Sequence, residues 1–387
     1  MWLWQGRFYG KGTAVMKALV TGGAGFIGSY IVDLLLERGY EVCVFDSLEL
    51  PTHAAGFPSY LAKEVEFIQG DMRDHDAIAK TLRGINVLIH AAATGGFTPH
   101  LSHYISCNSL GTAQMLEIIR DRKLPVQKIV VASSIAVYGE GKYCCPEHGV
   151  VYPPMRPLAQ MERHGWEVQC MHCGQPLAPL PTDEDTPVEP STAYGISKYD
   201  QERLVLTFGQ QTGIPTVALR YFVTYGPRQS VYNPYTGVCS IFSTRLLNNL
   251  PIIIYEDGYQ MRDFVFVRDV ARATLFILEA AQADFGVFNV GTGRATNIRR
   301  LAELLQKLLG RQGLVEYPNR FRPGEVRHIV ADVGRLTRLG FCAETPLEDG
   351  LTQYVEWVRA QGPLQEYFSY AEEQLQVAGV VRSAGRP

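Results

Sequence analysis

The run Thr21-Gly22-Gly23-Ala24-Gly25-Phe26-Ile27-Gly28 constrains this chain more than any other feature, because it joins an apolar stretch at 17–21 to a helical pattern at 27–38. In that position Gly22 permits a tight turn, Gly25 removes a side chain that would block a pyrophosphate, and Gly28 lets helix and strand pack closely. The helix N-terminus then faces the phosphates with unpaired N–H groups and the positive end of its dipole. Asp46 closes the next apolar run, 18 residues after Gly28. A carboxylate there accepts hydrogen bonds from the adenosine ribose and repels a 2'-phosphate, and Ser47 and Leu48 supply no arginine to welcome one. A dinucleotide site for NAD rather than NADP is expected.

The surrounding pattern agrees. Short apolar runs at 17–21, 41–45, 66–69, 87–91, 128–132 and 216–221 alternate with helical patterns at 27–38, 74–83, 108–122 and 194–210. Strands without polar alternation are covered on both faces, so the predicted fold class is α/β, a doubly wound parallel Rossmann sheet. Residues 140–190 break the rhythm with prolines and four of the eight cysteines, and read as an insertion. Beyond Tyr221 the pattern is mixed: helical at 238–249 and 270–282, strand-like at 252–255 and 287–290, with a polar loop around 320–327, as in a smaller mixed α/β substrate lobe. The division expected is an N-terminal extension (1–15) without assigned function, a dinucleotide domain (16–221) holding the insertion, and a substrate lobe (222–387) interleaved with it. A net charge of -3 gives no basic surface for nucleic acid, and no apolar run reaches the ~18 residues of a membrane helix. The first fifteen residues lack a signal-peptide core, so a cytoplasmic protein is expected.

Tyr194 and Lys198 stand four residues apart in a helical pattern, hence on one face and one turn from each other. An ordinary tyrosine ionises near pH ~10, so a phenol that works as a base near neutrality needs a fixed positive charge beside it, which Lys198 and oxidised nicotinamide both offer. Ser133 and Ser134 end the run at 128–132, at the carboxyl edge where open α/β sheets bind ligands, and either hydroxyl can reach a reacting oxygen.

Thr21 to Gly28, Asp71, His90-Ala91-Ala92-Ala93, Asn108, Ser133-Ser134-Ile135-Ala136-Val137-Tyr138-Gly139, Tyr194 to Lys198 and Arg262-Asp263-Phe264 together resemble the extended short-chain dehydrogenase/reductases that act on sugar nucleotides. The resemblance runs from about residue 16 to 332. It implies that Ser134, Tyr194 and Lys198 form the catalytic triad and that Asp71 contacts the adenine. It also implies that Ala91, Ala92 and Ala93 line the pyrophosphate and ribose, with Asn108 beside the cofactor. Phe26, Ile27, Met72, Ser133 and Tyr221 complete the implied cofactor contacts, and Thr94 joins Ser134 on the substrate. Arg262 and Arg322 match arginines that such enzymes place on the nucleotide diphosphate, a task suited to a guanidinium fork. A homodimer is implied as well.

Within that family, 4,6-dehydratases follow their serine or threonine with an acidic residue, whereas Ile135 and Ala136 follow Ser134 here. Without that acid, removal and return of hydride at one sugar carbon is favoured over elimination. Val223 stands after Arg220-Tyr221-Phe222, where UDP-galactose-type epimerases carry asparagine. The run from Gly226 to Ser230 and from Asn233 to Val238, with the cysteine-bearing insertion, is similar to dTDP-L-rhamnose 4-epimerase-like enzymes. The expected activity is therefore C4 epimerisation of a dTDP-deoxysugar. UDP-sugar 4-epimerase, NAD(P)H-dependent 4-ketosugar reductase and a catalytically silent NAD sensor are the alternatives.

Inside the insertion, Cys145-Pro146-Glu147-His148 and Cys170-Met171-His172-Cys173 form two short pairs separated by 21 residues. Thiolates and an imidazole at such spacing suit a closed tetrahedral site, so one structural zinc is expected on Cys145, His148, Cys170 and Cys173, with Cys144 and His172 as possible substitutes.

Overall fold

The computed structural model describes residues 15–96, 98, 100–235, 237–313 and 315–385. The first fourteen residues of the expected extension lie outside them, as does Thr236 of the run ending at Val238. Seven strands make one parallel sheet: β1 (Lys17–Thr21), β2 (Glu41–Asp46), β3 (Glu66–Gln69), β4 (Val87–His90), β5 (Lys128–Ser134), β6 (Thr216–Tyr221) and β7 (Val287–Val290), in the order β7-β6-β5-β4-β1-β2-β3. The order reverses between β1 and β4, which opens a crevice at the carboxyl ends of the strands.

Successive side chains of a strand enter opposite cores. Val20, Val44, Ile89, Val130 and Leu219 pack with α1 (Phe26–Glu37) and with a helix at Val267–Glu279. Leu19, Cys43, Leu88, Val131 and Ala218 pack on the other face with α2 (His75–Thr81), α3 (Gly111–Asp121) and α4 (Ala193–Thr212). Two apolar faces explain why the strands show no alternation. The seventh strand and the helix at Val267–Glu279 come from the C-terminal half, so the chain crosses to the lobe after Tyr221 and returns to finish the sheet.

The lobe has its own core, in which Phe242, Phe264, Phe266, Leu301 and Leu305 meet Leu351 and Tyr354. Its small sheet pairs Met261–Phe266 with Val223–Tyr225, Ala295–Asn297 and His328–Ile329. The strand at Met261–Phe266 and the helices Leu347–Ala360 and Phe368–Val377 have no counterpart in the expected pattern. The strand-like stretch at 252–255 shortens to Ile252–Ile253. The helix expected at 108–122 starts earlier, at Leu101, and passes through a π-helical segment, Ile105–Leu110, before α3. Wide turns of that kind recur at functional sites.

The insertion folds into a three-stranded antiparallel sheet, Gly149–Val151, Tyr143–Cys145 and Ala178–Pro179, over a small core of Tyr143, Cys145, Val168, Cys170 and Leu177. Among the described residues no helix is long and apolar enough to cross a membrane.

Candidate active site

A cleft of about 1480 Å³ runs along the carboxyl ends of β1, β2, β4 and β5 and continues over the lobe. One drug-sized ligand needs ~300–1,000 Å³, so this volume suits two nucleotides. At one wall the chain leaves β1 into the glycine turn. Gly22 has φ +71°, and a Cβ there would lie 2.8 Å from the backbone of Ala92. A Cβ on Gly28 would lie 2.1 Å from the Gly22 carbonyl oxygen, so helix and turn touch because both residues lack side chains. Gly25 differs: its Cβ would meet only the Gly22 oxygen, at 3.2 Å, and would otherwise fill the cleft. No side chain caps α1 at Gly25, which leaves its first N–H groups to an anion. A cradle that one methyl group would fill, at a helix N-terminus, fits a pyrophosphate.

Asp46 ends β2 at the cleft, one carboxylate oxygen accepting the amide of Ala24 at 3.1 Å and the other that of Leu48 at 3.0 Å. Phe26, Ile27, Met72, Ala91, Ala92, Ala93, Thr94, Ser133 and Tyr221 also line it. Asp71 lines it while paired with Arg73, whose hydrogen bond holds the carboxyl below its ordinary range. Asn108 does not line the cleft. It lies fully buried in the π-helical segment, accepting the Thr94 amide at 2.8 Å and donating to the Thr94 carbonyl at 3.0 Å and to Ser197 Oγ at 2.9 Å. The residue therefore positions the Thr94 loop from behind.

Ser134, Tyr194 and Lys198 converge on the cleft from the end of β5 and the start of α4. Thr192 caps α4 by accepting the Gly195 amide at 3.0 Å, which fixes where Tyr194 enters. Burial pushes the Tyr194 phenol up, its hydrogen bond with Ser134 pulls it down, and Tyr104 pushes it up again. Burial draws the Lys198 ammonium down to about 7, against the smaller opposing effects of Cys107 and Glu202. Its Nζ donates to the neutral amide oxygen of Gln201 at 2.5 Å.

Gln201 belongs to a buried chain of contacts that the sequence did not announce. Its amide donates to Thr112 Oγ1 at 3.0 Å; Thr112 Oγ1 and His90 Nε2 are 2.8 Å apart, and His90 Nδ1 and Thr21 Oγ1 are 2.7 Å apart. The ammonium is thereby tied to the glycine turn. Burial pulls His90 down to about 3, so it is a neutral hydrogen-bonding group. The signals available were the helical spacing of Gln201 from Lys198 and the strand-end place of His90.

Arg262 and Arg322 line the lobe side of the cleft. Arg262 donates to the carbonyls of Met261, Val326 and Arg327, and Glu325 lies between the two guanidinium groups, 3.3 Å from Arg262 and 3.6 Å from Arg322. Arg322 also stacks over Tyr255. Ser191 Oγ donates to the Gly324 carbonyl at 2.7 Å, so this arginine loop is pinned three residues before Tyr194. No carboxylate follows Ser134; Ile135 and Ala136 line the cleft there.

Away from the cleft, the ligand atoms of Cys145, His148, Cys170 and Cys173 lie within 4.8 Å of one another. Cys145 Sγ is 3.4 Å from His148 Nδ1 and 3.6 Å from Cys173 Sγ, and Cys170 Sγ is 3.6 Å from the same Nδ1. Zinc bonds of ~2.3 Å to sulfur and ~2.0 Å to nitrogen set tetrahedral edges of roughly 3.5–3.8 Å. Cys144 and His172 are not in this group.

The model of the NAD dependent epimerase/dehydratase family matches residues 18–165 and 172–291. A putative UDP-glucose 4-epimerase of Methanocaldococcus jannaschii is 34% identical over 346 residues, 88% of this chain and 98% of its own length. The dTDP-L-rhamnose 4-epimerase of Burkholderia thailandensis is 34% identical over 349 residues, 88% of this chain and 94% of its own. Among solved structures, the UDP-glucose 4-epimerase of Thermus thermophilus in complex with NAD superposes with a TM-score of 0.71 at 29% identity, covering 90% of this chain and 100% of that one.

Proposed function

This chain belongs to the NAD dependent epimerase/dehydratase family and is an NAD-dependent sugar-nucleotide epimerase, and we propose that it inverts C4, with dTDP-L-rhamnose and dTDP-6-deoxy-L-talose as the interconverting pair. The observation that carries this reading is the meeting of Ser134, Tyr194 and Lys198 in one cleft with the glycine turn and two arginines, and with Ile135 and Ala136 in place of an acidic residue after Ser134. An acid there serves elimination, and its absence leaves an oxidised sugar carbon to be reduced again.

Tyr194 takes the proton from the C4 hydroxyl as Ser134 orients that oxygen, and Lys198 favours the phenolate. NAD, when bound, supplies the acceptor and then the donor of the C4 hydride. Gly22, Gly25 and the open end of α1 hold its pyrophosphate, and Asp46 its adenosine ribose. Asp71, Met72 and the residues from Ala91 to Ala93 enclose the rest. Arg262 and Arg322 keep the substrate diphosphate anchored while the 4-keto sugar turns over, and Tyr194 then returns the proton. UDP-glucose 4-epimerisation is the competing substrate choice, since a relative of that name is equally similar. One zinc ion in the Cys145, His148, Cys170 and Cys173 tetrahedron is structural, because four protein ligands leave no place for water. The reading extends to a cytoplasmic homodimer.

The test incubates the enzyme with dTDP-L-rhamnose, UDP-glucose and related sugar nucleotides without reductant, and follows products by NMR. A C4 epimer of the dTDP sugar is expected. An epimer formed only from UDP sugars moves the substrate assignment, and NADH consumed one for one with a keto-sugar, without any epimer, makes the chain a reductase.

A further inference from the structure

The insertion does more than close on itself, because its charged residues run directly into the segment that carries the substrate arginines. Arg156, 5 % exposed, donates from Nε to Glu140 at 3.2 Å, from both terminal nitrogens to Glu256 at 3.0 Å, and to the Glu325 carbonyl at 2.8 Å. Arg327 is fully buried and meets Glu167 of the insertion, Glu256 at 2.9 Å and Asp257 at 2.7 Å. Glu140 also accepts the Arg327 amide at 2.8 Å, Tyr143 Oη accepts the His328 amide at 3.2 Å, and the second oxygen of Glu167 lies 3.0 Å from His328 Nε2. Glu140, Tyr143, Arg156 and Glu167 thus grip residues 325–328 from the insertion side. From the cleft side, Arg262 donates to the backbone of that same segment at Val326 and Arg327, and Glu325 reaches both Arg262 and Arg322.

What holds the grip is local. The insertion's own core is five residues, two of them Cys145 and Cys170. A segment with so small a core requires a cross-link to keep its shape. Tyr143 lies two residues before Cys145 on one short strand, and Glu167 three residues before Cys170. The two ligand pairs therefore fix the two stretches of chain from which Tyr143 and Glu167 reach residues 327 and 328. Buried ion pairs contribute little net stability, and in some proteins they serve to specify one geometry, which is what a diphosphate clamp needs.

We propose that the metal-bearing insertion is a buttress of the substrate diphosphate site: zinc in the Cys145, His148, Cys170 and Cys173 tetrahedron sets Tyr143 and Glu167, and these hold the 325–328 segment and through it Arg262 and Arg322. Metal occupancy then controls affinity for the nucleotide diphosphate and leaves the NAD side alone. Glu140, Arg156 and Glu167 are positioning residues in this scheme. The inference rests on the sugar-nucleotide reading and on the zinc assignment.

The experiment uses the whole protein purified without a histidine tag. Zinc is measured per chain, and UDP, dTDP and NAD are titrated by calorimetry before metal removal, after removal with a thiol-displacing mercurial and chelator, and after zinc and thiol are restored. One zinc per chain is expected, with a fall of tenfold or more in affinity for the nucleotide that binds, a change below twofold for NAD, and recovery on restoration. Because the stripped protein could unfold locally, Glu167→Gln provides a second arm with all ligands intact. It is expected to keep its zinc, to raise KM for the sugar nucleotide several-fold, and to leave kcat and NAD affinity unchanged. Zinc present but nucleotide affinity unmoved by its removal and by Glu167→Gln overturns the buttress and leaves the zinc assignment standing. Absence of zinc overturns both, and wild-type protein that binds neither UDP nor dTDP overturns the proposed dTDP- or UDP-sugar substrate.

Discussion

The two sides of the cleft bury charge in opposite ways. On the cofactor side Lys198 is enclosed with the neutral amide of Gln201 as its hydrogen-bond acceptor, and burial draws it down to about 7, while the enclosed His90 stays neutral. On the insertion side Arg156 and Arg327 are buried too, yet each is met by carboxylates. A buried charge without an ionic partner is a poised group whose protonation a ligand can tip; a saturated one is a fixed post. The proposed reading places chemistry on the first side and alignment on the second.

The largest expected effect breaks the poised side. Tyr194→Phe keeps the ring that packs near Tyr104 but loses the proton carrier. Turnover should fall by about 100 to 10,000-fold with NAD and nucleotide binding nearly unchanged. Steady-state rates and binding titrations check this, and a variant that keeps more than a tenth of wild-type turnover removes Tyr194 from the proton path.

Breaking the saturated side should instead cost stability. Arg327→Met leaves Glu256 with Arg156 alone and takes the cation from the partly exposed Asp257 and Glu167, so the cost should fall short of the about 3–5 kcal/mol of a fully buried pair broken outright. Urea unfolding with unchanged slope and a lower midpoint is expected.

A pair of glycine variants sharpens the distinction within one turn. Gly28→Ala drives a Cβ into the Gly22 carbonyl and should lose about 1–3 kcal/mol of stability. Gly25→Ala should unfold almost like wild type while its NAD affinity falls at least tenfold, since the new methyl occupies the cradle. Equal losses of stability in both would make Gly25 a packing residue.

The most gradual effect is a pH slope. Lys198 has its folded value lowered to about 7 from an ordinary 10.5, so between these limits the unfolded chain binds the extra proton. The contribution of Lys198 to the stability of the cofactor-free protein, read as the difference between wild type and Lys198→Met, should then rise with pH from about 7 to 10.5, by at most ~1.4 kcal/mol per unit. Lys198→Met should flatten that part of the profile, and an unchanged slope would show Lys198 charged throughout.

The same contrast explains what could be read in the chain. The glycine turn, Asp46 and the Tyr194–Lys198 spacing depend on neighbours in sequence, and the six strands of the parallel sheet up to Tyr221 announce themselves as apolar runs. Ligand spacing likewise singled out Cys145, His148, Cys170 and Cys173, which the fold brings within 4.8 Å. Contacts between Arg156 and Glu256, or Glu167 and Arg327, join residues 100 and 160 positions apart and have no local period. The π-helical segment at Ile105–Leu110 was missed because its sequence is ordinary helix; Asn108 within it bonds Thr94 and Ser197. The strand Met261–Phe266 was hidden by the charges of Arg262 and Asp263, both buried against polar partners.

The most direct measurement of the central claim follows the hydrogen at C4. With a dTDP-L-rhamnose deuterated at C4, incubated in ordinary water without added reductant, the hydrogen removed and the hydrogen returned must be the same atom. The account predicts an epimer that retains deuterium at C4 and forms with no net change in NADH. An unlabelled C4 in the product, or product formed only as NADH is consumed in equal amount, would contradict it.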